Sequence, residues 1–330
     1  MDHRKIGIIG SGNWGIALGI SLARNGHQVL VWTRSEEKAG RLNSSGTHPL
    51  IASQVFPKNL TFTAEPDKVM NSQLILSALP SQVTLAIWKE QFAHRLDNQI
   101  LIHSTKGLLP HGTPYISERL RDVTHRPWSF LTGPTFADEV ARDLPSAMVM
   151  AVPRLTEEYL KIRDLLSSEK LRIYLSDDLI GTQVCSAVKN ILAIAAGAID
   201  ELGLGHNAHA ALMTRGLAEM TRLVRSVGGK VETVYGLAGM GDLLLTSTGL
   251  QSRNRRLGKE LVRTGNLTLA QSALNGEVAE GQYATQIALD LALHHNLEMP
   301  ITQAVQQLLS GQRPEKVIQT LLARPAGFES

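Results

Sequence analysis

A short apolar run, Lys5-Ile6-Gly7-Ile8-Ile9, leads straight into Gly10-Ser11-Gly12-Asn13-Trp14-Gly15, and a helical stretch follows over 16–24. A second strand-like run occupies 28–33. G-x-G-x-x-G alone is a weak signal. Between a strand and a helix, with another strand beyond, it is the pattern of a dinucleotide-binding βαβ unit. Gly10 permits the tight turn, Gly12 lets the backbone approach a pyrophosphate, and Gly15 lets the helix pack close to the strand. The helix N-terminus then offers unpaired N–H groups and a positive dipole end to the phosphates. The alternative is a glycine-rich turn with no ligand, but the complete strand-helix-strand context favours the ligand.

The second strand bears on which dinucleotide is bound. A site for NAD places Asp or Glu near the end of that strand, on the ribose hydroxyls. Here the strand ends Val31-Trp32-Thr33-Arg34-Ser35, and Glu36 and Glu37 come later, in the next helix. Arg34 stands where a 2′-phosphate needs a cation, so NADPH is expected to bind at least as well as NADH. The competing reading makes Arg34 a solvated side chain that stacks on adenine without selecting.

With 330 residues the chain has room for two domains. A formal charge of +3, from 33 Lys+Arg against 30 Asp+Glu, is too small to argue for nucleic acid. Cys185 is the only cysteine, which excludes an internal disulfide and a thiolate zinc site, and no metal site is expected. The first strand pattern begins at about residue 5, which leaves no room for a signal peptide ahead of it, so a cytoplasmic location is expected. Residues 179–199 are apolar enough to suggest a membrane span. They contain Lys189 at mid-length, however, together with Thr182, Gln183, Ser186 and Asn190. A charge at mid-span is costly in lipid, and a helix buried on nearly all sides in a protein core fits better.

Strand-like runs at 5–9, 28–33, 74–79, 99–104, 129–132, 147–152 and 171–175 alternate with helical patterns such as 82–95 and 156–166. From about residue 179 only helical patterns remain: 179–199, 207–227, 253–263, 281–294 and 301–309. The expected fold is α/β, an N-terminal Rossmann-type doubly wound, mainly parallel sheet (1–178) that binds NAD(P), followed by an all-helical substrate-binding domain (179–330). Ligands of such sheets sit off the carboxyl ends of the strands. The segments in that position are Pro80-Ser81-Gln82, Thr105-Lys106-Gly107 and Gly133-Pro134-Thr135-Phe136-Ala137. Lys106 is a cation aimed at the ligand or, equally, a solvated turn lysine. Gly133-Pro134-Thr135 is expected to open a helix with proline at its start, its amides facing an anion.

Lys189 is the one charge on an otherwise apolar helix. Burying an ammonium is expensive unless its pKa falls or a carboxylate lies close, and such lysines serve as general acids. The alternative is a lysine that snorkels to the surface. A second cluster runs from Gly236 through Gly239, Gly241 and Asp242 to Thr246, then Gln251-Ser252-Arg253-Asn254-Arg255-Arg256. Glycines before Asp242 imply tight backbone around that carboxylate. Ser252 can cap the following helix, and a helix N-terminus beside an arginine suits phosphate. Arg255, Arg256 and Lys259 read best as a solvated basic helix face.

Taken together and in order, these segments, with Ala187-Val188-Lys189-Asn190, Thr214-Arg215-Gly216-Leu217-Ala218-Glu219 and Val278-Ala279-Glu280-Gly281, resemble the bacterial-type NAD(P)-dependent glycerol-3-phosphate dehydrogenases over nearly the whole chain. The resemblance implies that Lys189 is the proton-transferring lysine. It implies substrate contacts at Lys106, Gly133, Thr135, Lys189, Asp242, Ser252, Arg253 and Asn254. It implies cofactor contacts, beyond the three glycines, at Ser11, Trp14, Arg34, Lys106, Ala137, Arg253, Val278 and Glu280. Many members of the family have Ser where this chain has Thr135, and the hydroxyl survives. The loop 43–57 fits the family pattern poorly, and no cofactor contact is carried over to it.

The resemblance further implies a cytoplasmic homodimer, with no nucleic-acid partner and no stable membrane insertion. It would use NADPH or NADH to reduce dihydroxyacetone phosphate reversibly to sn-glycerol 3-phosphate, a precursor of glycerophospholipids. Residues from both domains are expected to form the site, with closure excluding water. Two rivals share the architecture. A 3-hydroxyacid or ketopantoate-type dehydrogenase needs an anchor for a carboxylate, whereas Ser252-Arg253-Asn254 with Lys106 favours phosphate. A non-catalytic NADP(H) sensor would be expected to lack Lys189 or Asp242, and both are present.

Overall fold

The computed structural model describes residues 4–51 and 54–325, so residues 52 and 53 of the 43–57 loop lie outside the described residues. The chain divides into two compact units, 1–183 and 184–330.

The first unit is built on β1 (Lys5–Ile9), α1 (Asn13–Arg24), β2 (Gln28–Trp32), α2 (Glu36–Ser45), β3 (Leu60–Thr63), α3 (Pro66–Met70), β4 (Leu74–Ser77), α4 (Ser81–Ile87) and β5 (Ile100–His103). It continues with α5 (Ile116–Thr124), β6 (Trp128–Thr132), α6 (Ala137–Ala141), β7 (Ser146–Ala151), α7 (Glu157–Leu166) and β8 (Leu171–Ser176). Among the described residues these strands form one sheet of eight in the order β3-β2-β1-β4-β5-β6-β7-β8. All neighbours are parallel except β6 and β7.

Side chains alternate faithfully between two cores. Ile6 and Ile8 of β1, Leu74 and Leu76 of β4 and Ile102 of β5 join the cluster that holds Ile16 and Ile20 of α1 and Ile162 and Leu166 of α7. Ile9, Ile75 and Leu101 join the opposite cluster, with Trp88, Phe92, Ile116 and Leu120. Both faces are therefore apolar, as a sheet covered by helices on each side requires. The winding reverses between β1 and β4, and at such a switch point an open α/β sheet binds its ligand beyond the carboxyl ends of the strands.

Three local expectations change. β3 was not among the expected strands; it pairs with β2 from Val29↔Leu60 to Trp32↔Thr63 and closes that edge of the sheet. The helical stretch 82–95 is α4 followed by a π-helical turn, Trp88–Phe92, and a 3-10 turn, Ala93–Arg95. The helix expected to start at Pro134 begins at Ala137, after Phe136, and is only five residues long. Proline is suited to the first helical position, but Pro134 lies outside the helix.

The second unit is formed by the greater part of α8 (Leu179–Glu201), then α9 (Gly205–Ser226), α10 (Val231–Tyr235), α11 (Asp242–Thr248), α12 (Arg253–Thr264), α13 (Leu267–Ser272), α14 (Gly281–His294), α15 (Pro300–Leu309) and α16 (Pro314–Leu322). α8 is long and apolar enough to cross a membrane, but 89% of its most apolar window is buried inside the protein, which makes it a core helix.

Glycines let other helices approach α8 closely. A Cβ on Gly197 would meet the Arg255 carbonyl oxygen at 1.9 Å, and one on Gly258 the Ile194 carbonyl oxygen at 1.9 Å. α8 and α12 thus cross with their backbones in contact, which fixes the start of α12. A Cβ on Gly216 would come within 2.7 Å of Leu192, so α9 also packs tightly on α8. Glu219, in the same α9 segment, accepts hydrogen bonds from the Ile301 N–H at 2.5 Å, the Thr302 N–H at 3.2 Å and the Thr302 hydroxyl at 3.0 Å. It caps α15 from a buried position. Burial pushes its pKa up, against the pull of those hydrogen bonds. The Thr214–Glu219 motif therefore has a packing role.

Candidate active site

In the first unit the glycine loop has the geometry that its sequence requires. Gly10 adopts φ +116, and a Cβ there would lie 2.6 Å from the Ala78 carbonyl oxygen. A Cβ on Gly15 would sit 2.0 Å from the Gly10 carbonyl oxygen, so only glycine lets α1 start so close to β1. Gly12 differs from both: nothing lies within 4 Å of where its Cβ would be. Gly12 also begins α1 without a side-chain cap. That exposed, uncapped helix start is a cradle for an anionic group. Trp14 packs half-buried against the α1 core, and its buried indole N–H has no partner among the described residues. Open space above Gly12, an uncapped helix N-terminus and an orphaned donor together fit a bound dinucleotide.

Ser11 is buried, and its backbone oxygen accepts from the Lys38 ammonium at 3.0 Å. Arg34 is exposed between β2 and α2, one residue before Ser35, whose hydroxyl caps α2 by accepting from the Lys38 N–H at 3.2 Å. Lys106 follows β5 and donates to the Gly133 carbonyl oxygen at 3.3 Å, which brings two expected substrate contacts together. Gly133 has φ +150 and lies against Met148, where a Cβ would come within 2.9 Å. The Thr135 hydroxyl donates to the same Gly133 oxygen at 3.4 Å, and Ala137 is the first residue of α6.

In the second unit Lys189, Asp242 and Thr246 form a closed triangle. The Lys189 ammonium donates to Asp242 Oδ1 at 2.9 Å and to Thr246 Oγ1 at 2.8 Å, and the Thr246 hydroxyl donates to Asp242 Oδ1 at 3.2 Å. Lys189 is 4% exposed and Asp242 1%. Lys189 therefore takes the carboxylate solution to burial and does not snorkel. Asp242 begins α11 directly after a π-helical turn, Leu237–Gly241, so it sits within continuous helical backbone. The turn before it is tight at one glycine: a Cβ on Gly239 would meet the Val234 carbonyl oxygen at 2.1 Å.

α12 delivers the remaining residues. The Ser252 hydroxyl accepts from the Arg255 N–H at 3.2 Å and caps the helix, from a buried position. Arg253, the first helical residue, is exposed. Asn254 is buried. Its Nδ2 donates to Asn190 Oδ1 at 2.8 Å, and its Oδ1 accepts from the Gly281 N–H at 2.9 Å. That bond ties the segment with Val278 and Glu280, just ahead of α14, to the residue after Lys189.

Arg255 and Arg256 do not form the solvated basic face expected of them. Arg255 pairs with Asp200 at 2.6 Å from a largely buried position, and Arg256 pairs with Glu277. The partners lie 55 and 21 residues away in sequence, so spacing did not reveal them. Thr246 lies four residues after Asp242 on one helix, a spacing that puts both on one face and is the sequence signal for its place in the triangle. No local sequence signal marks Asn190 or Lys38 as a site residue.

Residues 5–157 match the model of the NAD-dependent glycerol-3-phosphate dehydrogenase N-terminus, and residues 178–319 that of its C-terminus. The chain is 37% identical to a glycerol-3-phosphate dehydrogenase (NAD(P)+) of Koribacter versatilis, over 98% of both sequences. It is also 37% identical to one of Agrobacterium fabrum, over 100% of both.

The chain belongs to the NAD-dependent glycerol-3-phosphate dehydrogenase family.

A crystal structure of the Coxiella burnetii glycerol-3-phosphate dehydrogenase matches with a TM-score of 0.92 at 37% identity, covering 98% of this chain and 99% of that one. Membership accounts for what composition left open, namely why a buried ammonium on α8, a carboxylate opening α11 and a glycine loop after β1 occur in one chain. The family is one of oxidoreductases that use nicotinamide dinucleotides, and the open, uncapped loop at Gly12 suits that cofactor class.

Proposed function

We propose that the chain is a glycerol-3-phosphate dehydrogenase that reduces dihydroxyacetone phosphate reversibly to sn-glycerol 3-phosphate with NADPH or NADH, supplying glycerophospholipid synthesis. The observation that carries the mechanism is the buried Lys189–Asp242–Thr246 triangle. When bound, the nicotinamide supplies the hydride that goes to C2 of the substrate. Negative charge then grows on the C2 oxygen, and the Lys189 ammonium stabilises it and delivers the proton. Asp242 and Thr246 hold Nζ in place from two directions while this happens. In the reverse direction Lys189, in its neutral form, takes the hydroxyl proton.

The phosphate is anchored by Arg253 at the start of α12, with Lys106, Gly133 and Thr135 as further substrate contacts. Ser252 and Asn254 serve this anchor by capping α12 and tying its first turn to Asn190. Gly10, Ser11, Gly12, Trp14 and Gly15 hold the dinucleotide, with Ala137, Val278 and Glu280 among its contacts. Arg34, with no carboxylate at the strand tip, favours the 2′-phosphate of NADPH. Residues 1–178 form the cofactor domain and 179–330 the substrate domain. The protein works in the cytoplasm as a homodimer.

The test is isotopic. NADPH deuterated at both C4 positions of the nicotinamide is incubated with the protein and dihydroxyacetone phosphate, and the product is read by NMR. Deuterium at C2 of sn-glycerol 3-phosphate is expected. Product without label at C2, or no product from protein that binds NADPH, refutes the reading. Light scattering at assay concentration tests the dimer, and a monomeric active species refutes that part alone.

A further inference from the structure

Four basic groups crowd the carboxyl end of β2: Arg34 in the connection, Lys38 and Arg41 on α2, and His48 just beyond it. Lys38 is half-buried and holds its ammonium on the Ser11 backbone oxygen at 3.0 Å. Ser11 lies inside the glycine loop, so this cation stands at the dinucleotide cradle itself. An ammonium has three N–H donors, and the bond to Ser11 uses one.

Among the described residues Arg34, Lys38 and Arg41 have no carboxylate partner, while Glu36 and Glu37 in the first turn of α2 are exposed. The Lys38 pKa is pushed down by burial, then by the charges of Arg41 and Arg34. That of His48 is pushed down by burial, then by Lys38 and Arg41. Like charges gathered beside a ligand cradle repel one another, and an anion bound among them relieves the repulsion.

We propose that Lys38 is a second cation of the 2′-phosphate site, donating to that phosphate from the Ser11 side while Arg34 approaches from the strand tip. The inference rests on the reading of Arg34 as a 2′-phosphate ligand and adds a specificity-determining residue that the strand-tip motif does not contain. The competing role for Lys38 is a brace that holds the glycine loop through Ser11 and is indifferent to the ligand's 2′ group.

Calorimetric titration of the full chain with 2′,5′-ADP and with 5′-AMP separates the two roles without recourse to catalysis. Wild type is expected to favour 2′,5′-ADP. Lys38→Met, which keeps most of the stem and removes the charge, is expected to cut that preference by about tenfold or more, the scale of one charge-assisted hydrogen bond, with 5′-AMP affinity changed by less than about twofold. Lys38→Gln serves as the second variant, and thermal unfolding checks that both fold. An unchanged preference in Lys38→Met overturns the proposal. So does an equal loss for both ligands, which is the signature of the brace. If Arg34→Gln abolishes the preference and Lys38→Met does not, only the role of Lys38 falls. If wild type shows no preference, the Arg34 reading falls with it.

Discussion

Replacing Lys189 by Met separates what its ammonium does for stability from what it does for chemistry. The side chains of the pair are 5% and 1% exposed, so the Asp242 carboxylate would lose its counter-charge where water cannot replace it. Breaking a buried pair from one side costs about 3–5 kcal/mol, which for a domain of this size lowers the unfolding midpoint by roughly 6–20 °C. Replacing both partners with apolar groups of similar volume removes the stranded charge, and such swaps are often neutral or stabilising. Lys189→Met/Asp242→Leu is therefore expected to unfold within a few degrees of wild type, well above the single variant. Catalysis behaves differently. A positioned proton donor is worth about 10²–10⁴ in rate, so both variants lose at least that much turnover while their affinity for NADPH is nearly unchanged. Calorimetric melting, cofactor titration and steady-state turnover on the three proteins make the comparison. A double variant that recovers turnover along with its melting point, or a single variant with near-normal turnover, would falsify the assignment of Lys189 as the proton donor.

Other expectations follow from the same geometry. Gly12→Ala points its methyl into open space, so the melting point should stay within about 1 °C while dinucleotide affinity falls at least tenfold; an unchanged affinity would separate Gly12 from the cofactor. Gly258→Ala forces a methyl against the Ile194 carbonyl oxygen, which must spread α8 and α12 and shift the start of α12. Overpacking of this kind costs about 1–3 kcal/mol, and a misplacement of about 1 Å can cost 10²-fold in rate, so turnover with dihydroxyacetone phosphate should fall further than stability explains. His103 is fully buried, with Nε2 2.7 Å from the Ser117 hydroxyl, and burial pushes its pKa down to about 3. A folded pKa below the unfolded value means stability is complete above about pH 6.5 and is lost as pH falls toward 3. That amounts to roughly 2 kcal/mol between pH 6.5 and 5. Urea denaturation should show this loss in wild type and a smaller one in His103→Asn, and identical pH slopes would exclude His103 as the cause.

The legibility of this chain followed the range of each interaction. The glycine loop and the lone charge on α8 are local patterns, each visible within one element, and the switch from alternating elements to helices near residue 179 shows in the order of such patterns along the chain. β3 escaped because four residues, Leu60–Thr63, carry too little periodicity to stand out, and only pairing with β2 makes them a strand. The helix after Gly133 was placed too early because Pro134 supplies a start signal in a turn that does not become helical until Ala137. Most pairings over long sequence separations were invisible: Asn254 with Asn190 and Arg255 with Asp200 are joined across 64 and 55 residues. Lys189 with Asp242, across 53 residues, is the exception, legible because a buried ammonium calls for a carboxylate and the family resemblance puts both at one site. The closeness of α8 to α12 depends on Gly197 and Gly258, which look unremarkable until the backbones are seen to touch.

The most direct measurement is the loss of absorbance at 340 nm when wild type and Lys189→Ala are mixed with NADPH or NADH and either dihydroxyacetone phosphate or unphosphorylated dihydroxyacetone. Rapid oxidation by wild type with the phosphorylated substrate is expected, with almost none without the phosphate and a rate orders of magnitude lower in Lys189→Ala. Equal rates with and without the phosphate, or a fully active Lys189→Ala, would contradict an enzyme that anchors phosphate at α12 and moves the proton through Lys189.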